Sequence, residues 1–529
     1  MTSPTLTRHP ALNPTSTLLG YFAPKPTASH RRTSTLLGYL CLIGFSALAI
    51  PAQAYVFGDP ITFDNGKLVL DFNARVRVES RKNTFDFNSL TDAVTDDNFI
   101  LTRFRAGAKY TFTPKFSLYG QLQDAREFDS KRPNVPFVNA AEGNDPADLR
   151  QLYADLGDPR DDVVYARIGR QMLAYGDERL IGGFEWNNFA RTFDAAKIVY
   201  NAASVKTTVD FFAAKVVTIE GRNQGDKNDF KFNHSDPHDL FAGIYAQNSG
   251  LIKNQNTHVY LLYRGKTENS PAYRPNTLTS GATGVLPYDI PQKIWTLGFR
   301  AQSISMAALG GFDYLVETAY QWGKSRPGLT PAVVIVPSWF EHQAYALHAE
   351  VGRSWEKSKF FPRVALEYNE ASGDKNSADT ANDGFLNLFH TNHKFYGYMD
   401  VLGWKNMRNV AATLRLKPFA LVDSSLKKSI LRLDYHWFQL KTTQDLWYRA
   451  NAITPVIAPA VGIRAGLPKS LGREFDATWT WSPSPPYEIL LGYSYFWSGS
   501  YLPAARKVGT TLGRGDNASF GYAQLMVKF

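Results

Sequence analysis

The residues that could do chemistry are cations standing at every second position of apolar segments. Arg103, Arg105 and Lys109 oppose Phe104, Ala106, Ala108 and Tyr110, and Arg167, Arg300, Arg363, Arg415 and Arg432 stand in segments of the same kind. A guanidinium makes bidentate pairs with carboxylates and stays charged at any relevant pH. Gathered on one wet surface, these side chains would concentrate anions and repel cations. The plainer alternative is that they solvate that surface and pair across it with Glu367, Asp434, Glu474, Asp476 or Glu488, because opposite charges on neighbouring strands attract.

Two long polar stretches hold further candidates. The segment 174–192 carries Asp177, Glu178, Arg179, Glu185 and Arg191, and Asp194 just after it is counted with them as a constriction-loop residue, available to Arg170 or Arg191. Folded inward it would narrow a lumen, and folded outward it would be an external cap. The segment 373–405 carries Asp374, Asn376, Asp379, Asn382 and Asp383. Calcium takes six to eight oxygen ligands, and the glycine and terminal glutamate of an EF-hand loop are out of register here, so the weak calcium candidates Asp374, Asn376 and Asp379 read better as a solvated turn-rich loop. His390 and His393 lack a third ligand for zinc. His436 is the best strand histidine, but its neighbours two away are Asp434 and Phe438, and no nucleophile–base pair can be assembled around it. The expectation is a protein that is not an enzyme and has no cofactor.

The elements that must position the cations alternate with period two. In Leu68–Glu79 one face reads Leu68, Leu70, Phe72, Ala74, Val76, Val78 and the other Asp71, Asn73, Arg75, Arg77, Glu79. Successive strand residues point to opposite faces, so this is a strand with one apolar and one charged surface. About eighteen such segments of ~9–14 residues follow one another, longer than ordinary soluble strands and suited to tilted membrane strands. Short connections such as Thr113-Pro114-Lys115, Pro159-Arg160 and Glu356-Lys357 alternate with long ones such as 129–148, 174–192, 373–405 and 442–470. Tight turns on one rim and long loops on the other belong to outer-membrane barrels, and in lipid a spanning sheet must have no open edge. The expected fold is all-β: a single closed antiparallel transmembrane β-barrel with short periplasmic turns and long extracellular loops. The last strand ends on Phe529, an aromatic terminus resembling the signal read by the barrel-assembly machinery.

The ends and the composition agree. Arg31-Arg32, the apolar run Leu36–Ile50 and Pro51-Ala52-Gln53-Ala54 describe a secretory signal peptide cleaved after Ala54. The domains are then a leader over 1–54 and a barrel over 55–529. Thr-Ser-Thr-Leu-Leu-Gly-Tyr occurs at 15–21 and again at 33–39, which reads as a duplicated leader or a start placed too early. The single cysteine, Cys41, lies in that leader, so the mature chain holds together without disulfides. Losing Arg8, Lys25, Arg31 and Arg32 lowers the formal charge from +10 to +6. A mildly basic chain argues for anionic small-molecule or polysaccharide partners, while the absence of basic runs argues against nucleic acid. Outer-membrane lipid and lipopolysaccharide would surround it.

Three stretches resemble the alginate-export porin family of Gram-negative outer membranes. They are Arg167-Ile168-Gly169-Arg170-Gln171 through Tyr175-Gly176-Asp177-Glu178-Arg179-Leu180-Ile181-Gly182, then Ala371-Ser372-Gly373-Asp374-Lys375-Asn376 on to Trp404, and Leu471-Gly472-Arg473-Glu474-Phe475-Asp476. The resemblance implies a monomeric eighteen-stranded barrel conducting an anionic polyuronate such as alginate outward through an arginine-rich constriction. Other members of so broad a family look like general or substrate-specific uptake porins, which is the alternative function; a barrel enzyme is the remoter one.

Overall fold

The computed structural model describes residues 61–529 apart from 85, 91–95, 132–143, 220–231, 270–289, 305–306, 327–338, 377, 392, 394, 454 and 460. The expected leader and its cleavage site lie outside the described residues. The barrel strands run β1 (Leu68–Lys82), β2 (Asp97–Thr113), β3 (Phe116–Phe128), β4 (Asp145–Leu156), β5 (Val164–Gln171), β6 (Phe193–Ala202), β7 (Thr207–Thr218), β8 (His234–Asn248) and β9 (Gln255–Lys266). They continue as β10 (Gln292–Ser303), β11 (Phe312–Ser325), β12 (Phe340–Ser354), β13 (Arg363–Ala371), β14 (Met407–Leu416), β15 (Ile430–Leu440), β16 (Ser470–Trp481), β17 (Tyr487–Ser498) and β18 (Ala518–Lys528).

Each strand pairs antiparallel with the next, and β1 pairs with both β2 and β18, which closes the sheet. The seam is reinforced at its end: Phe72 and Phe529 exchange backbone hydrogen bonds of 2.7 and 3.1 Å, and their rings stack at 5.4 Å. No hydrogen-bonding edge is left, as lipid requires.

Burial is inverted relative to a water-soluble protein. Val76 and Val78 are 39 and 47 % exposed, while the intervening Arg75 and Arg77 are 2 and 0 % exposed. The same alternation puts Trp295, Leu297 and Phe299 on the outside and Thr296 and Arg300 inside. The outer surface is therefore an apolar belt, and near the short-turn rim Arg353 lies over the rings of Phe312 and Trp355, where amphipathic side chains sit well between lipid and water.

Two strands extend further than alternation foretells. β4 starts at Asp145 and β8 at His234, whereas the clean alternation of apolar and polar residues begins only at 149 and 240. Both carry register shifts against a neighbour, at Gln121/Leu122 and Gln123/Ala125 and at Lys215/Val217. A bulge inserts a residue and breaks the period of two, so the pattern fades while the pairing continues. Gly169, centre of the Arg-Ile-Gly-Arg-Gln motif, has φ +125°, and a Cβ there would stand 2.3 Å from the Leu152 carbonyl oxygen. Only glycine lets β5 approach β4 so closely.

Candidate functional site

β1 to β4 carry five buried arginines on the lumen side: Arg75, Arg77, Arg103, Arg105 and Arg150. Arg75 and Arg103 are direct cross-strand partners, an arrangement of like charges that is unfavourable unless something is bound between them. What they bind is the loop 172–192, folded into the barrel. Glu185 places its carboxylate among three guanidiniums, 2.7 Å from Arg105, 3.2 Å from Arg103, and hydrogen-bonded to Arg150. Arg75 donates to the Glu185 carbonyl at 2.8 Å and to Asn188 Oδ1 at 2.9 Å, and Arg77 donates to the Trp186 carbonyl at 2.8 Å. Gln123 holds the Phe189 carbonyl at 2.9 Å. Burial alone would push the Glu185 carboxyl up, but Arg105, Arg150 and Arg103 hold it well below the usual carboxylate range.

A second loop, between β13 and β14, packs on the first. Leu180 and Gly182 exchange backbone hydrogen bonds of 2.8 Å with Phe389. The Trp186 ring stacks on His393 at 3.5 Å with the Arg77 guanidinium at 3.9 Å on its ring. Phe389 meets Phe193 at 5.1 Å and Phe241 at 4.7 Å on the barrel wall. The lumen is thus partly apolar on β6–β8, where alternation predicted only a wet surface, because these rings anchor a loop and do not face water. A third loop, between β15 and β16, closes over the second: Trp447 donates to the Val401 carbonyl at 2.9 Å, and Asn406 donates to Thr442 and Leu446 carbonyls at 2.9 and 3.0 Å.

The loops fill the long-loop half and leave the short-turn half open. Inward side chains near the clamp, such as those of Arg103 and Arg150, are 3 and 4 % exposed, whereas Lys109 and Arg432 lower down are 39 and 33 % exposed. The lumen is a vestibule from the short-turn side that ends at the arginine-held loop.

The sequence candidates distribute over both halves. Arg103 and Arg105 are in the clamp. Lys109 and Arg167 share Asp155 at 3.7 and 2.7 Å. Arg300 lies 3.7 Å from Glu317, Arg363 binds Asp313 and Glu350, and Arg432 lies 2.7 Å from Asp434. Arg415 is exposed and has no ion-pair partner among the described residues, although it stands in register between Arg363 and Arg432. Within the inward loop, Arg179 bonds Asp177 at 3.0 Å and reaches the wall at Glu367, 3.1 Å away. Glu178 accepts from Thr391 at 2.7 Å and Arg191 donates to the His390 carbonyl at 3.1 Å, so both fasten loop to loop.

Asp194 is a correction. It belongs to β6 and not to the constricting loop, and it pairs with Arg170 at 2.8 Å on the parity of the lipid-facing Ile168 and Ile198. Asp374, Asn376 and Asp379 each accept a backbone N–H from two residues on. Such turns spend the oxygens a calcium ion would need, and among the described residues no group of three or more His, Cys, Asp or Glu is placed to hold a metal ion. Burial, then Asp445 nearby, pushes the Asp374 carboxyl up to about 6. A raised pKa means the folded state prefers the protonated acid, so the site loses stability as pH rises through 6. Asp374→Asn should therefore raise thermal stability in detergent by about 1 kcal/mol above pH 7, allowing for solvent screening, and give no gain below pH 4.

Residues missed by pattern alone are Arg75, Arg77, Arg150 and the carboxylate of Glu185 as the pivot. The signal for Arg75 and Arg77 was present in the clean alternation of β1. Arg150 shares its parity with the lipid-facing Leu152 and is turned inward by the bulge that skips it, Gln121 pairing with Gln151 and Leu122 with Leu149.

This fold and lumen define a class: a porin-type β-barrel of the bacterial outer membrane, with Arg and Lys side chains facing its interior. The chain belongs to the alginate export family, whose model matches residues 67–511. Among solved structures, OccK9 (OpdG) of Pseudomonas aeruginosa is 11 % identical with a TM-score of 0.53, covering 89 % of this chain and all of that one. The outer membrane protein OpdK of Pseudomonas aeruginosa is 10 % identical with a TM-score of 0.51, covering 87 % of this chain and 98 % of that one. At such identities the likeness is one of fold. No curated protein matches the chain.

Proposed function

We propose that the protein is a passive outer-membrane channel for anionic solutes, with uronate polysaccharide such as alginate as the substrate class, and not an enzyme. The observation that carries this reading is the convergence of three buried guanidiniums, Arg103, Arg105 and Arg150, on one loop carboxylate. Glu185 occupies a carboxylate site, and a uronate presents the same group in the same planar geometry that a guanidinium fork recognises. A polyanion entering the vestibule meets Lys109, Arg415 and Arg432 and then the clamp, where its carboxylates compete with Glu185 and release the loop. Membership of the alginate export family supports the assignment.

The test is single-channel recording in planar bilayers under a salt gradient. Conductance steps with a reversal potential on the anion side, and concentration-dependent block by oligouronates but not by neutral oligosaccharides of equal length, are expected. Cation preference, or equal block by neutral and charged oligosaccharides, overturns the reading.

A further inference from the structure

Charged residues on the lumen side of a barrel need no special account, because water reaches them. Charged residues on the lipid side do. At the long-loop rim, the outward face of β13–β16 carries such a group.

Glu370 is its centre. It lies on the parity of Leu366 (57 % exposed to the outside) and is itself 8 % exposed. Its two oxygens are saturated by four donors: Tyr345 at 2.6 Å and Lys441 at 2.5 Å on one, Tyr368 at 2.8 Å and Arg408 Nε at 2.5 Å on the other. A buried carboxylate so surrounded fixes the two cations side by side. Their remaining N–H groups are not used by Glu370, and the Arg408 side chain is 42 % exposed. Two more cations adjoin. Lys469, exposed, donates to the Lys441 carbonyl at 3.2 Å. Arg473, exposed and without an ion-pair partner among the described residues, is in register between Trp437 and Trp497. Four cations against one acid leave a net charge of +3 on this patch.

Depth narrows what can meet it. Directly below, Val410 and Trp437 face outward at 44 and 43 % exposure, so the patch begins where the apolar belt ends. A lipid-facing Arg or Lys costs about 2–4 kcal/mol at mid-membrane and little near the interface, which fixes the patch at headgroup level. Long loops mark the outer side of such barrels, and Tyr345, Tyr368 and Trp437 are the amphipathic rings expected there. A zwitterionic headgroup has no excess charge to match +3. The phosphorylated glucosamines of lipopolysaccharide, the outer-leaflet lipid, do.

We propose that Arg408 and Lys441, held by Glu370, form with the adjoining Lys469 and Arg473 a binding site for a lipid A phosphate on the outer wall of the barrel. Guanidinium and ammonium donors already held in place by Glu370 lose little freedom on taking up a phosphate. The site is independent of the pore and of what passes through it.

The experiment uses the folded full barrel in lipid nanodiscs, titrated with diphosphoryl lipid A and with the same lipid stripped of phosphates, bound lipid being counted by native mass spectrometry. The unaltered protein should prefer the diphosphorylated form by about tenfold, the scale of charge-assisted hydrogen bonds. R408Q/K441Q should lose most of that preference, and Arg473→Gln, which leaves the Glu370 pairs intact, should lose about threefold by the same scale. K324Q, at the same rim beyond the patch, should keep it. If the unaltered protein holds both lipids equally, or Arg473→Gln and R408Q/K441Q retain the full preference, the site does not exist. Heat-modifiable gel mobility identifies any variant that has not folded, and the comparison of the two lipids on the unaltered protein decides the matter without variants.

Discussion

Glu185→Gln should convert a mostly closed channel into a mostly open one. The substitution keeps the size of the side chain and removes the one carboxylate among the described residues that pairs with Arg103, Arg105 and Arg150. The loop then hangs on the carbonyl bonds to Arg75, Arg77 and Gln123, while three guanidiniums lose their counter-charge. Breaking a buried pair from one side costs about 3–5 kcal/mol. The Glu185 side chain is 39 % exposed, and solvent screening brings this down to about 2 kcal/mol. That amount shifts a closed–open balance about thirtyfold. The readout is the fraction of time spent in the large-conductance state of single channels, together with a stronger anion preference. Unchanged occupancy and conductance would mean that the loop does not limit the pore.

The same carboxylate sets a pH signature. Its folded pKa lies below the ordinary carboxylate range, so its stabilising contribution is complete above about pH 4.3 and fades only as pH falls through the lower folded value. Conductance of the unaltered channel should stay flat from about pH 8 to pH 5 and rise only in stronger acid. E185Q should show no such rise, being open already.

The architecture was legible because membrane barrels write it in the period of two. Leu68 to Glu79 displays both faces of β1, and the long–short rhythm of connections gives strand number, closure and the wet lumen. The inward parity of Arg103, Arg300 and Arg432 follows from the same count. Two things escaped it. Bulges do not announce themselves, so Arg150, one residue out of step in β4, has the parity of the lipid-facing Leu152 although the bulge aims it at Glu185. Loops have no period, so nothing in 172–192 foretold which acid would meet the ladder. Asp177 and Glu178 were as eligible as Glu185, but Asp177 accepts from Arg179 within the loop and Glu178 accepts from Thr391 of the neighbouring loop. The aromatic wall patch was hidden for a third reason. In Phe211-Phe212-Ala213-Ala214 both faces of β7 are apolar, and alternation cannot say which of them packs on a loop and which on lipid.

Arg415 tests what the vestibule cations do. Most inward arginines of the lower lumen are neutralised by an acid: Arg167 by Asp155, Arg363 by Asp313 and Glu350, Arg432 by Asp434. A paired guanidinium adds little to the field that a passing anion feels. Arg415 is the exception, exposed between two other guanidiniums in cross-strand register, where like charges oppose each other and weaken the sheet. A position that costs stability and contributes no pair is a candidate for capture of an anion at the mouth. Arg415→Glu should leave the barrel folded, with thermal stability equal or slightly higher because the repulsion is relieved. It should also raise the apparent dissociation constant for oligouronate block from the short-turn side by about tenfold, the low end for a hydrogen bond to a charged group, and move the reversal potential toward the cation side. Block applied from the long-loop side first meets the clamp and should change far less. Equal weakening of block from both sides would show that Arg415 acts through the overall charge of the lumen and not as an entry site, and no weakening from either side would show that the paired arginines suffice.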